Sequence, residues 1–351
     1  MLRDLGYESE IFATAVHPLL ESRVRLLHEL RGPSRRDGFL LYQLSSPSRL
    51  ADWLIDRLEV IGVNYHNVTP ASLVHGWDRG ASLALTDAAL QVCQLSRISK
   101  TGICDSNFNA VDLRSKGWTS TSVAPVLVDL DGFDVEPDPT TTVRLERRRE
   151  KGGIDWLFVG TISPHKAQHR LVQALALYRQ VYDPKARLTL VGRPVLPSYA
   201  IALTEYVHAL GLGDAVEVTG PIEHRALVAH FRAADVFVSA SEHEGYCVPL
   251  LEAFYHRLPV VALAAGAVPE TAGDAAVLVD DATPDCLASA VGRIFDVNEE
   301  ALGRPLSGSP PLNGKTIKDV LIESSQRRLE CFTLERSRAQ MAAAVRAWTE
   351  T

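Results

Sequence analysis

The sequence predicts an α/β protein of two Rossmann-like, doubly wound parallel-sheet domains facing a cleft, and three observations carry that prediction. Short apolar runs alternate with helical stretches along nearly the whole chain, the pattern of parallel strands joined by crossover helices. Several of the runs are apolar throughout, as expected where helices cover both faces of a sheet. At 351 residues the chain exceeds one comfortable core and suits two domains of about 150 residues each.

The elements follow in order. "MLRDLGYESEIFATAV" reads as the last turn of a helix, a stop at Gly6 and a strand. Strands are expected at "GFLLYQL" (38–44), "EVIGVNYHN" (59–67), "TGICDS" (101–106) and "TSVAPVLV" (121–128), with helices between them. Prolines, threonines and a charge run ending in Gly-Gly make 129–153 a linker by composition, centred on 141–152. A first domain over 1–140 and a second over 153–332 are therefore predicted. The second series runs "IDWLFVG" (154–160), a helix near 168–182, "RLTLVG" (187–192) and a helix over 199–210. It continues with "VEVTG" (216–220), a helix near 224–234, "DVFVSAS" (235–241), a helix after Gly245 and "PVVAL" (259–263). A helix near 284–296 leads into a polar loop rich in Gly and Pro, and two amphipathic stretches, 317–330 and 333–348, close the chain.

Composition excludes several function classes. A chain that is 46% hydrophobic and 23% charged is an ordinary folded protein. A net charge of −7 argues against nucleic acid as a partner, because phosphate-backbone binding needs a strongly cationic surface. A local basic patch could still meet an anionic membrane, so peripheral contact at its inner face stays open. Five cysteines without CxxC spacing suggest neither a disulfide framework nor a zinc site, and a reducing cytoplasm is the simplest compartment. No apolar run approaches the roughly 20 residues that span a bilayer.

Chemistry concentrates in "SASEHEGYCVPLLEAFYHRLPVVA", where Glu242, His243 and Glu244 followed by Gly245 join an apolar strand to an apolar helix. The C-terminal end of a buried parallel strand is where open α/β sheets place ligands. Gly245 permits close backbone approach, and the amides of Gly245, Tyr246 and Cys247 are expected to open a helix suited to a phosphate. Pro249 falls in the first turn, where a missing amide does no harm. Glu244 and Glu252 lie eight residues apart and could bracket an extended ligand, each accepting from hydroxyls. The plainer alternative makes Glu244 an electrostatic cap and Glu252 a solvated helical residue. In "FVGTISPHKAQHRLVQAL", Gly160 ends a strand and Lys166 precedes a helix, where a cation opposes the helix dipole and is better explained by a bound anion.

These stretches, with "LTLVG", "SEHEGYCVPLLEAF" and "LPVVALAAGAVPETAGDAAVLV", resemble the donor domain of retaining glycosyltransferase family 4, which has the GT-B fold. Glu244 to Glu252 matches that family's E-x7-E pattern, and "NYHNVTP" and "DSNFNAVDLRSKGW" extend the resemblance into the first domain. It implies transfer of a sugar from a UDP- or GDP-linked nucleotide-diphosphate donor to a glycan or lipid-linked acceptor, with retention of configuration and without a metal cofactor. Glu244 would bind the sugar hydroxyls and Glu252 the ribose; Lys166 and the amides after Glu244 would hold the diphosphate. His66 would face the transferred sugar across the cleft; the alternative is a histidine satisfied at a strand end. Residues 333–351 would cross back onto the first domain.

Two departures accompany the resemblance. Thr161 stands where the family often places an arginine, with Arg170 and Arg193 as nearby substitutes. The family also begins with a strand, a Gly-rich loop and a helix, of which the sequence holds only the helix end; a unit of about 30 residues is expected to be absent, and Met1 to be internal. The rival reading is accordingly a nucleotide-sugar-binding remnant of little activity. An epimerase is disfavoured by the E-x7-E placement, and a dinucleotide oxidoreductase by the lack of G-x-G-x-x-G after an early strand.

Overall fold

The computed structural model describes residues 2–30, 34, 36–295 and 314–350. In the first domain β1 (Phe12–Ala13) and β2 (Arg25–Leu26) form a short parallel pair apart from the main sheet. The main sheet comprises β3 (Phe39–Leu44), β4 (Val60–Tyr65), β5 (Ser99–Cys104) and β6 (Thr121–Val123), all parallel in the order β3-β4-β5-β6. The outer edge of β3 has no partner strand among the described residues. Crossovers α1 (Arg49–Ile55), α2 (Arg79–Leu95) and α3 (Asn107–Ser115) pack Leu54, Val92 and Leu113 against Ile61, Val63 and Tyr65. Each helix begins on a polar cap, Ser48, Asp78 and Ser106, whose side chain accepts a first-turn amide.

Composition misleads in the middle of the chain. Residues read as a linker form α4 (Pro139–Arg149), started by Asp138, which accepts from Thr141 N at 2.7 Å, with proline in the first turn. Its charges, part of the run that marked a linker, are paired with the second domain. Arg144 reaches Glu217 at 2.8 Å and Arg148 reaches Asp155 at 2.6 Å.

The second domain is one parallel sheet built from β7 (Asp155–Val159), β8 (Arg187–Val191), β9 (Val216–Gly220), β10 (Val236–Ser239), β11 (Val260–Leu263) and β12 (Val277–Val279). Its order is β12-β11-β10-β7-β8-β9, so the winding reverses between β7 and β10. Helices α5 (Gln168–Val181), α6 (Pro197–Ala209) and α10 (Pro284–Phe295) bury Leu171, Tyr199 and Val291 on one face, over Trp156, Leu188 and Val238. On the other, α7 (His224–Ala233) and α8 (Val248–Tyr255) bury Phe231, Leu250 and Phe254 over Leu157, Phe237 and Val260. A short α9 (Val268–Ala272) links β11 to β12. Burial on both faces explains why the central strands β7, β8, β10 and β11 are mostly apolar.

After α10 the polar loop expected over 299–316 lies mostly outside the described residues, and α11 (Ile317–Leu329) and α12 (Leu334–Thr349) follow. The last helix lies on the first sheet. Met341, Val345 and Trp348 pack with Ile103 and Ala124, and a Cβ at Gly62 in β4 would sit 2.7 Å from the Trp348 ring. Tyr7 Oη and Thr349 Oγ1 are 2.9 Å apart, joining the two ends of the described chain.

Candidate active site

The two loops singled out from sequence leave the sheet side by side at the reversal of strand order, the 160–167 loop from β7 and the 240–247 loop from β10. That crevice is where doubly wound sheets bind ligands. The loops are tied together, with Glu242 N donating to His165 O at 2.8 Å.

Lys166 and Glu244 meet directly, Nζ to Oε1 at 2.6 Å, and both side chains are largely buried. The lysine charge that opposes α5 is therefore balanced by Glu244, a contact invisible in the sequence. Lys166 ends a turn at Pro164–Lys166, after which Ala167 adopts a left-handed conformation (φ 50°) to start α5. Beside it, desolvation and then the Lys166 and His243 charges lower His165 to about 3, so the ring is neutral at ordinary pH. Gly160 ends β7, and a Cβ at Gly192 would strike Gly160 O at 1.9 Å, so the two strand ends are packed backbone to backbone. Thr161 carries a hydroxyl 3.5 Å from Ser163 Oγ, and its carbonyl accepts from Gln168 at 2.8 Å.

The start of α8 differs from the expectation. The helix begins at Val248, with Cys247 as a left-handed cap (φ 71°) and proline in the first turn, so Gly245 and Tyr246 precede it. The Tyr246 ring is turned into the core against Phe332, and burial raises the Cys247 thiol well above its ordinary value, making it a packing group. Gly245 is required by the other domain: a Cβ there would lie 2.9 Å from Asn67 Cβ and 3.1 Å from His66 O. Glu252 is partly buried on the second turn of α8, and desolvation pushes its carboxyl up to about 7, which does not describe a solvated helical glutamate.

His66 follows β4 directly. Its Nδ1 donates to Asp105 Oδ2 at 3.0 Å, which fixes the ring, and its Nε2 lies 2.8 Å from Gln43 Oε1. Asp105 is itself buried, so an oriented histidine carries a buried carboxylate behind it. Asn67, in a left-handed conformation (φ 74°), meets Asn109 Oδ1 at 2.6 Å and His243 Nε2 at 2.8 Å across the cleft. Ser106 Oγ donates to Gly245 O at 2.8 Å. Glu244, Lys166 and His66 are thus drawn to one cleft, with Glu252 on the second turn of the helix that follows.

From sequence, Glu242 and His243 have no role beyond the connector, and Asp105, Asn67 and Ser106 are not singled out. Glu242 pairs with Arg170 at 2.8 Å, which holds that arginine away from the role of substitute for Thr161, and Arg193 is exposed. Asp105 and Ser106 open a strand-to-helix turn, the one local signal that could have marked them.

Residues 141–302 match the family described as glycosyl transferases group 1. A GDP-mannose-dependent alpha-(1-6)-phosphatidylinositol monomannoside mannosyltransferase of Mycobacterium tuberculosis is 30% identical over 199 residues, covering 54% of this chain and 50% of that protein. A D-inositol 3-phosphate glycosyltransferase of Geodermatophilus obscurus is 32% identical over 184 residues, covering 50% and 40%. The chain spans about half the length of the curated relatives it matches. The solved structure of Anabaena HepE in complex with UDP and glucose superposes with a TM-score of 0.67 at 17% identity, over 87% of this chain and 78% of that one. Residues 141–302 thus match the glycosyl transferases group 1 family, and the described residues have the GT-B fold.

Proposed function

We propose that the protein is a retaining glycosyltransferase of family 4 that moves a sugar from a UDP- or GDP-linked donor to a glycan or lipid-linked acceptor, in surface polysaccharide or glycoconjugate synthesis. The observation that carries the reading is the Lys166–Glu244 pair at the strand-order reversal, opposite the Asp105-oriented His66. Relatives named as sugar-nucleotide-dependent transferases, and a GT-B neighbour solved with UDP and glucose, support the donor class.

In this reading Glu244 accepts hydrogen bonds from sugar hydroxyls while keeping one from Lys166. A lysine ammonium has three donors, so Nζ can serve Glu244 and a phosphate oxygen together. As the glycosidic bond breaks, charge builds on the leaving diphosphate, and a Lys166 donor not used by Glu244 stabilises it. The acceptor hydroxyl attacks from the face the diphosphate leaves, and a diphosphate oxygen takes its proton. Glu252 accepts the ribose hydroxyls. No metal or other cofactor is invoked, because the cation and backbone donors carry the leaving group. Among the described residues no helix is long and apolar enough to cross a membrane; a lipid-linked acceptor is the reason to propose peripheral contact at the inner membrane face.

One observation favours the binding-only alternative: Thr161 supplies no charge and Arg170 is held by Glu242. Incubation with radiolabelled UDP- and GDP-sugars and a panel of acceptors separates the two. The transferase reading expects labelled product whose anomeric configuration, by NMR, is that of the donor. Tight nucleotide binding with no transfer to any acceptor would leave the binding-only reading.

A further inference from the structure

We propose that Glu270 is a positioning residue: by capping α3 across the cleft it holds the Glu244 loop in register with His66, a role that rests on the function proposed above. Glu270 lies in the short α9 of the second domain, while α3 belongs to the first. Its carboxylate accepts from Asn107 N at 2.9 and 2.8 Å, from Asn107 Nδ2 at 2.8 Å and from Phe108 N at 3.3 Å. These account for the start of α3. Ser106 Oγ takes Asn109 N and Ser106 O takes Ala110 N within the first domain, whereas the first two amides are satisfied only by the other domain. A carboxylate at a helix start is also favoured by the helix dipole.

The latch is connected to the proposed donor site by three successive carbonyls. Glu244 O accepts from Ala267 N at 2.9 Å, one residue before α9. Tyr246 O accepts from Thr271 Oγ1 at 2.6 Å, within α9. Between them Gly245 O accepts from Ser106 Oγ at 2.8 Å, the cap of α3. A Cβ at Gly266 would lie 2.4 Å from Glu244 O, so that turn has no slack. Behind α9, the Arg328 guanidinium donates to the Glu270 and Thr271 carbonyls and fixes α9 to α11. The 244–246 backbone is therefore gripped by α9 on either side and by α3 in the middle, and Glu270 closes the ring. Asp105, which orients His66, immediately precedes Ser106, so a displaced α3 carries His66 with it.

The test uses the full chain with Glu270→Ala, with Asn107→Asp, which opposes Glu270 from the first domain without touching α9, and with the double variant Asn107→Asp, Glu270→Gln, which restores the hydrogen bond with donor and acceptor exchanged. Circular dichroism confirms the fold of each. Small-angle scattering and amide exchange at Asn107 and Phe108 read the latch; kcat and donor KM, with the nucleotide sugar that wild type uses, read the positioning. Both single variants should expand the molecule, speed exchange at those amides and lower kcat by about tenfold to a hundredfold with donor KM within about threefold, because misplacement of reacting groups is costly to the chemical step. The double variant should recover a compact shape and most of kcat. Unchanged scattering and exchange in the single variants, or opening with kcat unaltered, overturns the proposal. A wild-type chain that turns over no nucleotide sugar, yet opens on Glu270→Ala, removes the transferase reading and keeps the latch.

Discussion

At Glu252, on the second turn of α8, burial alone raises the carboxyl from 4.5 to about 7. Below about 4.5 both folded and unfolded chains hold the proton. Between that value and about 7 the folded chain holds more, so this group's stabilising contribution is complete at low pH and is lost as pH rises through the window. Buried His165, His230 and His256, all lowered by desolvation, act in the opposite sense, so the effect is read as a difference between variants. Glu252→Gln should gain stability relative to wild type as pH rises from 4.5 to 7, measured by urea unfolding at stepped pH; a difference independent of pH would show that Glu252 is not buried as described. At Glu244 the expected change is catalytic. Glu244→Ala removes the Lys166 partner and the proposed sugar acceptor, and transfer should fall at least about a hundredfold with the fold intact by circular dichroism. Retained transfer removes Glu244 from the mechanism.

At the scale of elements, charge networks at the far ends of the strands carry stability apart from the cleft. Asp155 at the start of β7 is buried and takes two contacts from Arg187 at 2.9 Å and two from Arg148. Asp155→Ala leaves the buried Arg187 uncompensated and should cost about 3–5 kcal/mol in urea unfolding; a loss below about 1 kcal/mol would mean water takes over the pairing. Trp348→Ala should cost a similar amount, about 3–5 kcal/mol, because the ring lies on Gly62 and meets Phe39 edge-on at 5.4 Å. Both sheets were legible in the sequence because their strands, such as "RLTLV" and "VFVS", are mostly apolar and separated by helix-length segments. The α4 helix was not, since "RLERRRE" looks solvated until Asp155 and Glu217 are known to face it. Nor was α9, whose five residues are too short for periodicity. The Lys166–Glu244 pair was legible as two candidates but not as a contact, because their separation in sequence gives no hint of a shared crevice. Glu270 lay only within a longer stretch and was given no role, because its partners are the backbone amides of Asn107 and Phe108 and the Asn107 side chain, all in the other domain.

For the whole molecule, the two domains meet at a few residues. His243 to Asn67, Ser106 to Gly245 and Ser198 Oγ to Trp77 O at 3.0 Å all cross between them. A Cβ at Gly245 would lie 2.9 Å from Asn67 Cβ, so Gly245→Ala should keep both domains folded while forcing them apart, seen as an increased radius of gyration by small-angle scattering; an unchanged radius would show that the loop yields instead. The central claim is that the Lys166–Glu244 crevice grips a nucleotide-sugar donor. Thermal unfolding in the presence of UDP- and GDP-sugars tests it most directly, comparing wild type with Glu244→Ala. At 100 times the dissociation constant a bound donor should stabilise the wild-type chain by about 2.7 kcal/mol, with the gain reduced in Glu244→Ala. A wild-type chain whose transition no nucleotide sugar shifts, or an equal shift in both proteins, would contradict the assignment.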